Sequence, residues 1–220
     1  MAKKHTEAIQ KQKKKESPGV KSWFIIILII AAVVSSTLMF VDFGGDGRDY
    51  STYNHFAFEK AGEKWKTQVT RDDQLFEVPS NYHPYDLENI SYNQNVTTYM
   101  MAEPHAGFIL AVDDNGSKPV VAAVNIARIL GEKFYGFPVK SAIYGEASGN
   151  SSTTNSSITY KTCEDATKLV PVIHISTDED EPVVDFADNY TNCIVVGGST
   201  GDEAIKAADK VVFKILRIMD

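Results

Sequence analysis

The amino-acid sequence has few of the features by which enzymes and metal proteins are recognised. It contains two cysteines and five histidines in 220 residues, and no two histidines have the HExxH or HxH spacing of a metal site. Ser199 lies in a segment, residues 197–201, that matches G-x-S-x-G by letter, but no nucleophile–base pairing can be read from the sequence, so a hydrolase of that type is not indicated. We therefore expect no metal and no cofactor, and the catalytic residues of any activity remain unknown.

A glycine-rich segment, residues 197–201 (GGSTG), lies between a predicted strand and a predicted helix. Phosphates bind at such positions, but the segment matches neither GxxxxGK[ST] nor GxGxxG. Thr200 and Glu203 instead have the T-x-x-E spacing of a helix capping box, in which Thr200 would bond the Glu203 amide. Asp202 and Glu203 would also repel an anion. We interpret the segment as a structural cap in preference to a ligand site.

Two aspartates, Asp113 and Asp114, end another predicted strand, which is a common position for functional groups in α/β proteins. Together with Gly197 and Gly198 they form the candidate ligand site. A turn with solvated carboxylates is the alternative explanation. The acidic run at residues 178–181 lacks the spaced ligands and the glycine of a calcium loop, so we interpret it as a solvated loop.

The charge is divided between a basic N-terminal tail and an acidic remainder. Residues 1–22 contain seven lysines and two glutamates, which give a charge of +5. Because the whole chain has a net charge of −7, the remaining residues carry −12. An acidic body argues against nucleic acid as a partner, because phosphate charge dominates that kind of binding. The basic tail is interpreted as a topology signal that also attracts anionic lipid, with a partner-binding arm as the alternative.

Residues 23–41 contain no charge, proline or glycine. As a helix, these 19 residues would span roughly 28 Å, about one hydrocarbon core. A cleaved signal peptide is the alternative, but its apolar stretch is shorter and ends in a small-x-small site. We predict an uncleaved transmembrane helix. Because lysines accumulate on the cytoplasmic side, residues 42–220 are predicted to be extracytoplasmic.

Glycosylation sequons and cysteines agree with that topology. Six of the eleven asparagines lie in N-x-S/T sequons, and all six follow the predicted span. These asparagines are Asn89, Asn95, Asn115, Asn150, Asn155 and Asn189. Cys163 and Cys193 lie 30 residues apart, and an oxidising compartment favours a disulfide between them. A reactive thiol and two buried free thiols are the alternatives.

Hydrophobic patterning divides the chain into four parts. They are a basic cytoplasmic tail (1–22), a transmembrane helix (23–41), a flexible tether (42–52) and an extracytoplasmic domain (53–220). The domain is predicted to be α/β, with a sheet, two main helices and an N-terminal antiparallel hairpin region. Strands are expected near residues 56–58, 65–69, 75–78, 97–101, 108–112, 139–144, 169–175, 183–186 and 193–196, and helices at 120–134 and 201–218.

The chain resembles uncharacterised single-pass membrane proteins of archaea that carry an extracytoplasmic α/β domain. The resemblance covers roughly residues 54–220. It is carried by Phe56, Trp65, residues 84–88 (PYDLE), Cys163, residues 192–196 (NCIVV) and residues 207–210 (AADK). Residues 195–198 (VVGG) also resemble α/β modules of surface-layer and cell-wall-binding proteins. The resemblance implies a location and a fold; the family has no assigned activity, so no catalytic residue is implied.

The sequence predicts a single-pass envelope protein whose extracytoplasmic domain binds another envelope component, protein or glycan, in an assembly, structural or receptor role. The lipid bilayer is its other expected partner. An anchored envelope enzyme, such as a hydrolase, and an accessory subunit of a membrane complex are the alternatives. An enzyme would have a concave pocket with converging polar groups near Asp113 or Gly197. A binding module would have an exposed apolar patch or an open sheet edge.

Overall fold

The computed structural model of the chain describes residues 49–102, 104–114, 116–131, 133–146 and 159–220. The predicted tail, the predicted transmembrane helix and most of the predicted tether lie outside the described residues, as do the sequons at Asn115, Asn150 and Asn155. In the part that is described, no helix has the length and apolar character needed to cross a membrane.

The described residues form eleven strands and three α-helices. The strands are β1 (Tyr50–Tyr53), β2 (Phe56–Ala61), β3 (Lys64–Arg71), β4 (Gln74–Ser80), β5 (Ser91–Tyr92), β6 (Phe108–Val112), β7 (Val139–Tyr144), β8 (Tyr160–Lys161), β9 (Val172–Ser176), β10 (Val183–Ala187) and β11 (Tyr190–Gly197). The helices are α1 (Gln94–Ala102), α2 (Ser117–Leu130) and α3 (Gly201–Ile215). Short 3-10 helices occur at Pro84–Leu87 and Cys163–Asp165. The predicted mixed α/β class is confirmed.

The first four strands form an antiparallel meander in the order β1-β2-β3-β4. Its central hairpin follows the predicted alternation, with Phe58 paired to Thr67 and both side chains buried. Pro79 had been expected to end a strand, but it lies within β4. Strand β4 is an edge strand of this sheet, which is the position where strands tolerate proline.

The other strands form a seven-stranded sheet in the order β5-β10-β11-β9-β6-β7-β8. Neighbouring strands are parallel except for β10 and β11, which form an antiparallel pair. Alternate side chains of each strand face opposite sides. In β9, Ile173 and Ile175 join the main core with the helices, whereas Val172 joins a small second cluster on the other face together with Cys163 and Cys193.

Helix α3 lies at the centre of the core and is buried on all sides from Ala207 to Ile215. Phe213 packs edge-on against Phe58 of the meander at a centroid distance of 5.7 Å. On its other side α3 packs against α2 and β11. A helix enclosed in this way must satisfy its polar side chains internally. Lys210 does so by donating to three carbonyl oxygens of the segment around the first 3-10 helix, at 2.7–3.1 Å.

Several predicted elements differ from the structure. The helix predicted at 120–134 runs from Ser117 to Leu130, the helix predicted at 201–218 ends at Ile215, and the strand predicted at 169–175 is Val172–Ser176. Residues 97–101 were expected to form a strand, but they belong to α1. Val96 and Met100, one helical turn apart, are both fully buried, so packing overrides the strand propensity of the neighbouring threonines. The ordered domain also begins earlier than residue 53, because β1 starts at Tyr50 within the predicted tether.

Candidate functional site

Asp113 lies just beyond the carboxyl end of β6, where it accepts hydrogen bonds from the adjacent strand and loop. Its Oδ1 lies 2.8 Å from Nε2 of His174 on β9, and its Oδ2 accepts the Thr177 backbone N–H at 2.8 Å. Burial raises the pKa of Asp113, whereas the hydrogen bonds from His174 and Thr177 lower it. The hydrogen bonds together have the larger effect, so the pKa lies below its usual value. Because Asp113 is then ionised at neutral pH, Nε2 of His174 is the donor.

An aromatic ring covers His174 on the face of the sheet that bears the disulfide. Tyr144 of β7 stacks on the imidazole with ring centroids 3.4 Å apart and planes inclined by 11°. The Tyr144 hydroxyl donates to Sγ of Cys163 at 3.7 Å. An Asp–His pair can act as a proton acceptor, but it must reach a substrate. The side chains of His174 and Asp113 are only 11% and 10% exposed, which argues for a structural role.

The glycine-rich segment is filled by acidic side chains of the protein itself. Glu203 accepts the backbone N–H and the hydroxyl of Ser199 at 2.8 and 2.6 Å, while Thr200 Oγ1 accepts the Glu203 N–H at 3.3 Å. The predicted contact of Thr200 is therefore present, although the Glu203 carboxylate bonds Ser199 instead of completing the usual box. A side chain at Gly198 would lie 2.3 Å from Cβ of Glu203, so close packing accounts for this glycine.

The four residues of the predicted ligand site do not converge. Ser176 of β9 pairs with Gly197 of β11, and Asp113 follows the β6 residue that pairs with Ile175. Asp113 and Gly197 therefore lie two strand spacings apart, about 10 Å. Asp114 is exposed. His174, the closest partner of Asp113, was not predicted, because a lone histidine inside an apolar strand gives no sequence signal.

A second feature is an apolar groove between α2 and the edge of the seven-stranded sheet. The groove has a volume of about 550 Å³. Its floor includes Leu110 and Val139, and one wall includes Val120 and Val124 of α2. Val120 and Val124 remain 48% and 47% exposed, although most apolar residues of the helix are buried. The groove is thus an apolar surface that the domain does not cover with its own described residues.

Basic side chains surround this groove. Arg128, Lys133 and Lys140 are exposed and contribute to its lining, and the described lining residues include no carboxylate. Residues 49–220 as a whole contain 14 basic and 25 acidic side chains, a net charge of −11. Among the described lining residues, three cations and no carboxylate are therefore a local reversal of the charge of the domain. Such a surface attracts an anionic partner.

The outer edge of β7 runs along the groove. The short strand β8 pairs with β7 only at Ile143 and Tyr144. In the described part of the chain, Val139 to Ala142 therefore have a strand neighbour on one side only, which is β6. The apolar spacing in the sequence does not separate Val120 and Val124, which are exposed, from Ala123 and Leu130 of the same helix, which are buried.

The two cysteines are bonded to each other, and the asparagines of the described sequons are exposed. Cys163 and Cys193 form a buried disulfide with a Cα–Cα distance of 5.2 Å, which confirms the predicted bond and rejects the free-thiol alternatives. Asn89, Asn95 and Asn189 are exposed. Within the described residues, no group of three or more metal-ligating side chains is found.

Comparisons with protein-family models, with curated proteins and with solved structures found no match.

Proposed function

We propose that the chain is a single-pass membrane-anchored envelope protein whose outer domain binds another envelope protein through the groove between α2 and β7. The apolar run at residues 23–41, the lysines before it and the sequons after it support the location. The observation that supports binding is the exposed apolar wall of the groove, where Val120 and Val124 are each about half exposed.

Exposed valines on a helix that otherwise packs into the core carry a hydration penalty that a partner would remove. Removing apolar surface from water contributes roughly 25 cal/mol per Å². The groove also combines apolar surface, cations and an open strand edge, which is a typical composition of a protein-binding site. The Asp113 region offers less to a ligand, since the oxygen atoms of Asp113 are occupied by His174 and Thr177.

Site-specific photocrosslinking in native membranes tests the proposal. A photoreactive phenylalanine analogue is placed at Val124 in the full chain, and a matched control carries it at Leu75, which is 63% exposed on the meander. We expect a discrete protein adduct from position 124 and none from position 75. Val124→Ala should retain a partner that is recovered by mild chemical crosslinking, whereas Val124→Glu should lose it, because the carboxylate would have to be desolvated in the apolar wall and would reduce the positive charge that attracts the partner.

Equal adducts from both positions would reflect random collisions and would contradict the proposal. The absence of any adduct from position 124, with the variant present in the membrane at normal abundance, would also contradict it.

A further inference from the structure

We propose that the groove takes its partner as an added β-strand: an extended segment with alternating apolar and acidic residues pairs with the outer edge of β7. This inference rests on the proposed function of the groove and specifies the chemistry of the occupant.

The main chain of β7 has donors and acceptors available at this edge. The Pro138 carbonyl accepts the Phe108 N–H of β6 at 2.9 Å, whereas Ile143 donates its N–H outward to Thr159 at 2.9 Å. Main-chain groups alternate in direction along a strand, so those of Val139 and Ser141 point outward, like those of Ile143. Ser141 is exposed, in agreement with its place at the edge.

Proteins usually protect such an edge, because it readily pairs with another chain. No proline occurs in β7, and β8 covers only its last two residues. Within the described residues, nothing pairs with the outward groups of Val139 and Ser141. These groups are therefore positioned to hold the backbone of an incoming strand, which is the mode known as strand addition.

Side chains of an added strand would alternate between the groove and the opposite face. Those on the groove side would lie near Val139 and Ser141 and would contact the apolar wall of α2 at Val120 and Val124. This geometry selects apolar residues at every second position. Intervening residues are selected by charge, since they share the opposite face of the strand with Lys140. Lys133 and Arg128 add positive charge at the rim of the groove, which attracts the acidic segment as a whole.

The charge of the domain favours a different protein over a second copy of this chain. Two copies would each bring a net charge of −11 from residues 49–220, and their repulsion would oppose edge-to-edge pairing. An acidic segment on another protein is attracted to the basic rim, and this attraction should weaken as salt rises.

Peptide binding to the full chain in detergent or nanodiscs tests this inference. The probe is a fluorescent ten-residue peptide that alternates valine with glutamate, and its controls are a valine–lysine peptide and a scrambled valine–glutamate peptide. We expect the alternating acidic peptide to bind at least tenfold more tightly than either control. Ser141→Pro, which removes an outward N–H, should weaken binding at least tenfold, whereas Ser141→Ala should not.

Backbone methylation of the peptide makes the result independent of the folding of any variant. One peptide carries N-methyl groups on its even residues and another on its odd residues. Only one set faces β7, so one methylated peptide should lose binding and the other should keep it.

If both methylated peptides bind like the parent while Val124→Glu abolishes binding, strand addition is wrong and the groove remains a binding site. If no peptide binds, the inference is overturned, while crosslinking from Val124 still decides the proposed function. Self-association of the full chain that Ser141→Pro abolishes would identify a second copy as the occupant and would also overturn it.

Discussion

At the scale of single residues, Asp209 is a carboxyl group held inside the core of the domain. Its Oδ2 accepts the backbone N–H groups of Asn81 and Tyr82 at 2.7 and 3.0 Å, and its Oδ1 accepts from Asn125 of α2 at 2.8 Å. Burial raises the pKa of Asp209 to about 7, although these three hydrogen bonds favour the ionised form. The folded domain therefore keeps this proton at pH values where the unfolded chain releases it.

Stability should consequently depend on pH through Asp209. A pKa raised from 3.8 to about 7 on folding gives a contribution that is fully present below about pH 4 and is lost as pH rises to about 7. Asp209→Asn keeps the shape, and rotation of the Asn125 amide restores its hydrogen bond, but the variant cannot ionise. The unfolding free energy of the wild type minus that of Asp209→Asn should therefore fall by a few kcal/mol between pH 4 and 7.5.

Urea titrations of both proteins at several pH values measure this difference. A difference that stays constant from pH 4 to pH 8 would show that Asp209 has the same pKa in both states.

At the scale of secondary-structure elements, the start of α3 depends on side chains that occupy their own loop. The Ser199 hydroxyl, helped by backbone N–H groups, lowers the pKa of Glu203, so the carboxylate remains ionised at the positive end of the helix dipole. Lys118 at the start of α2 also forms an ion pair with Asp202 at the start of α3. The loop is thus held by contacts within the domain, with no anion required.

Gly198→Ala separates this structural role from ligand binding. The added methyl group would approach Cβ of Glu203, so we expect a loss of roughly 1–3 kcal/mol in unfolding free energy. Ser199→Ala serves as the control and should lose about 1 kcal/mol, the value of one hydrogen bond. Chemical denaturation provides the measurement. Unchanged stability of Gly198→Ala would restore the hypothesis that the glycines are kept for a ligand.

Elements with a clear apolar pattern could be predicted from the sequence. Strand β7 has the predicted bounds of residues 139–144, because the segment is bordered by Pro138 and Gly145. Helix α1 was missed because its threonines resemble a strand, while its local start signal is a single contact, from the Asn95 N–H to the Asn93 side chain at 3.0 Å. One capping residue is too weak a signal to outweigh the strand propensity of the threonines.

At the scale of the whole molecule, the disulfide joins the second 3-10 helix to β11 across 30 residues of sequence. In the chain-entropy description, closing such a loop contributes roughly 3–4 kcal/mol. Replacing Cys163 and Cys193 together by alanine should lower the unfolding free energy by about that amount, as measured with urea. Removing both avoids a free thiol that could form intermolecular bonds. A loss below about 1 kcal/mol would show that the unfolded state is already compact without the bond.

The strand order of the large sheet is the part that the sequence could not provide. Strand β9 lies between β6 and β11, although β7 and β8 come between β6 and β9 in the chain. Local sequence patterns show that a segment forms a strand, but they do not show which strands lie beside it in the sheet. The groove depends on that order, since α2 packs against β6 and β9 and leaves the outer part of β7 uncovered. A site that depends on the order of strands in a sheet leaves no local motif in the sequence.

A hydrogen bond joins the turn after β1 to the C-terminal segment of the domain. Asn54, in the turn after β1, donates its side-chain N–H to the Ile218 carbonyl at 3.1 Å, two residues before the last residue. The first strand of the domain and its C-terminal segment therefore lie next to each other. A longer protein could accept the domain as an insert by opening at one surface position, without separating the two halves of the host.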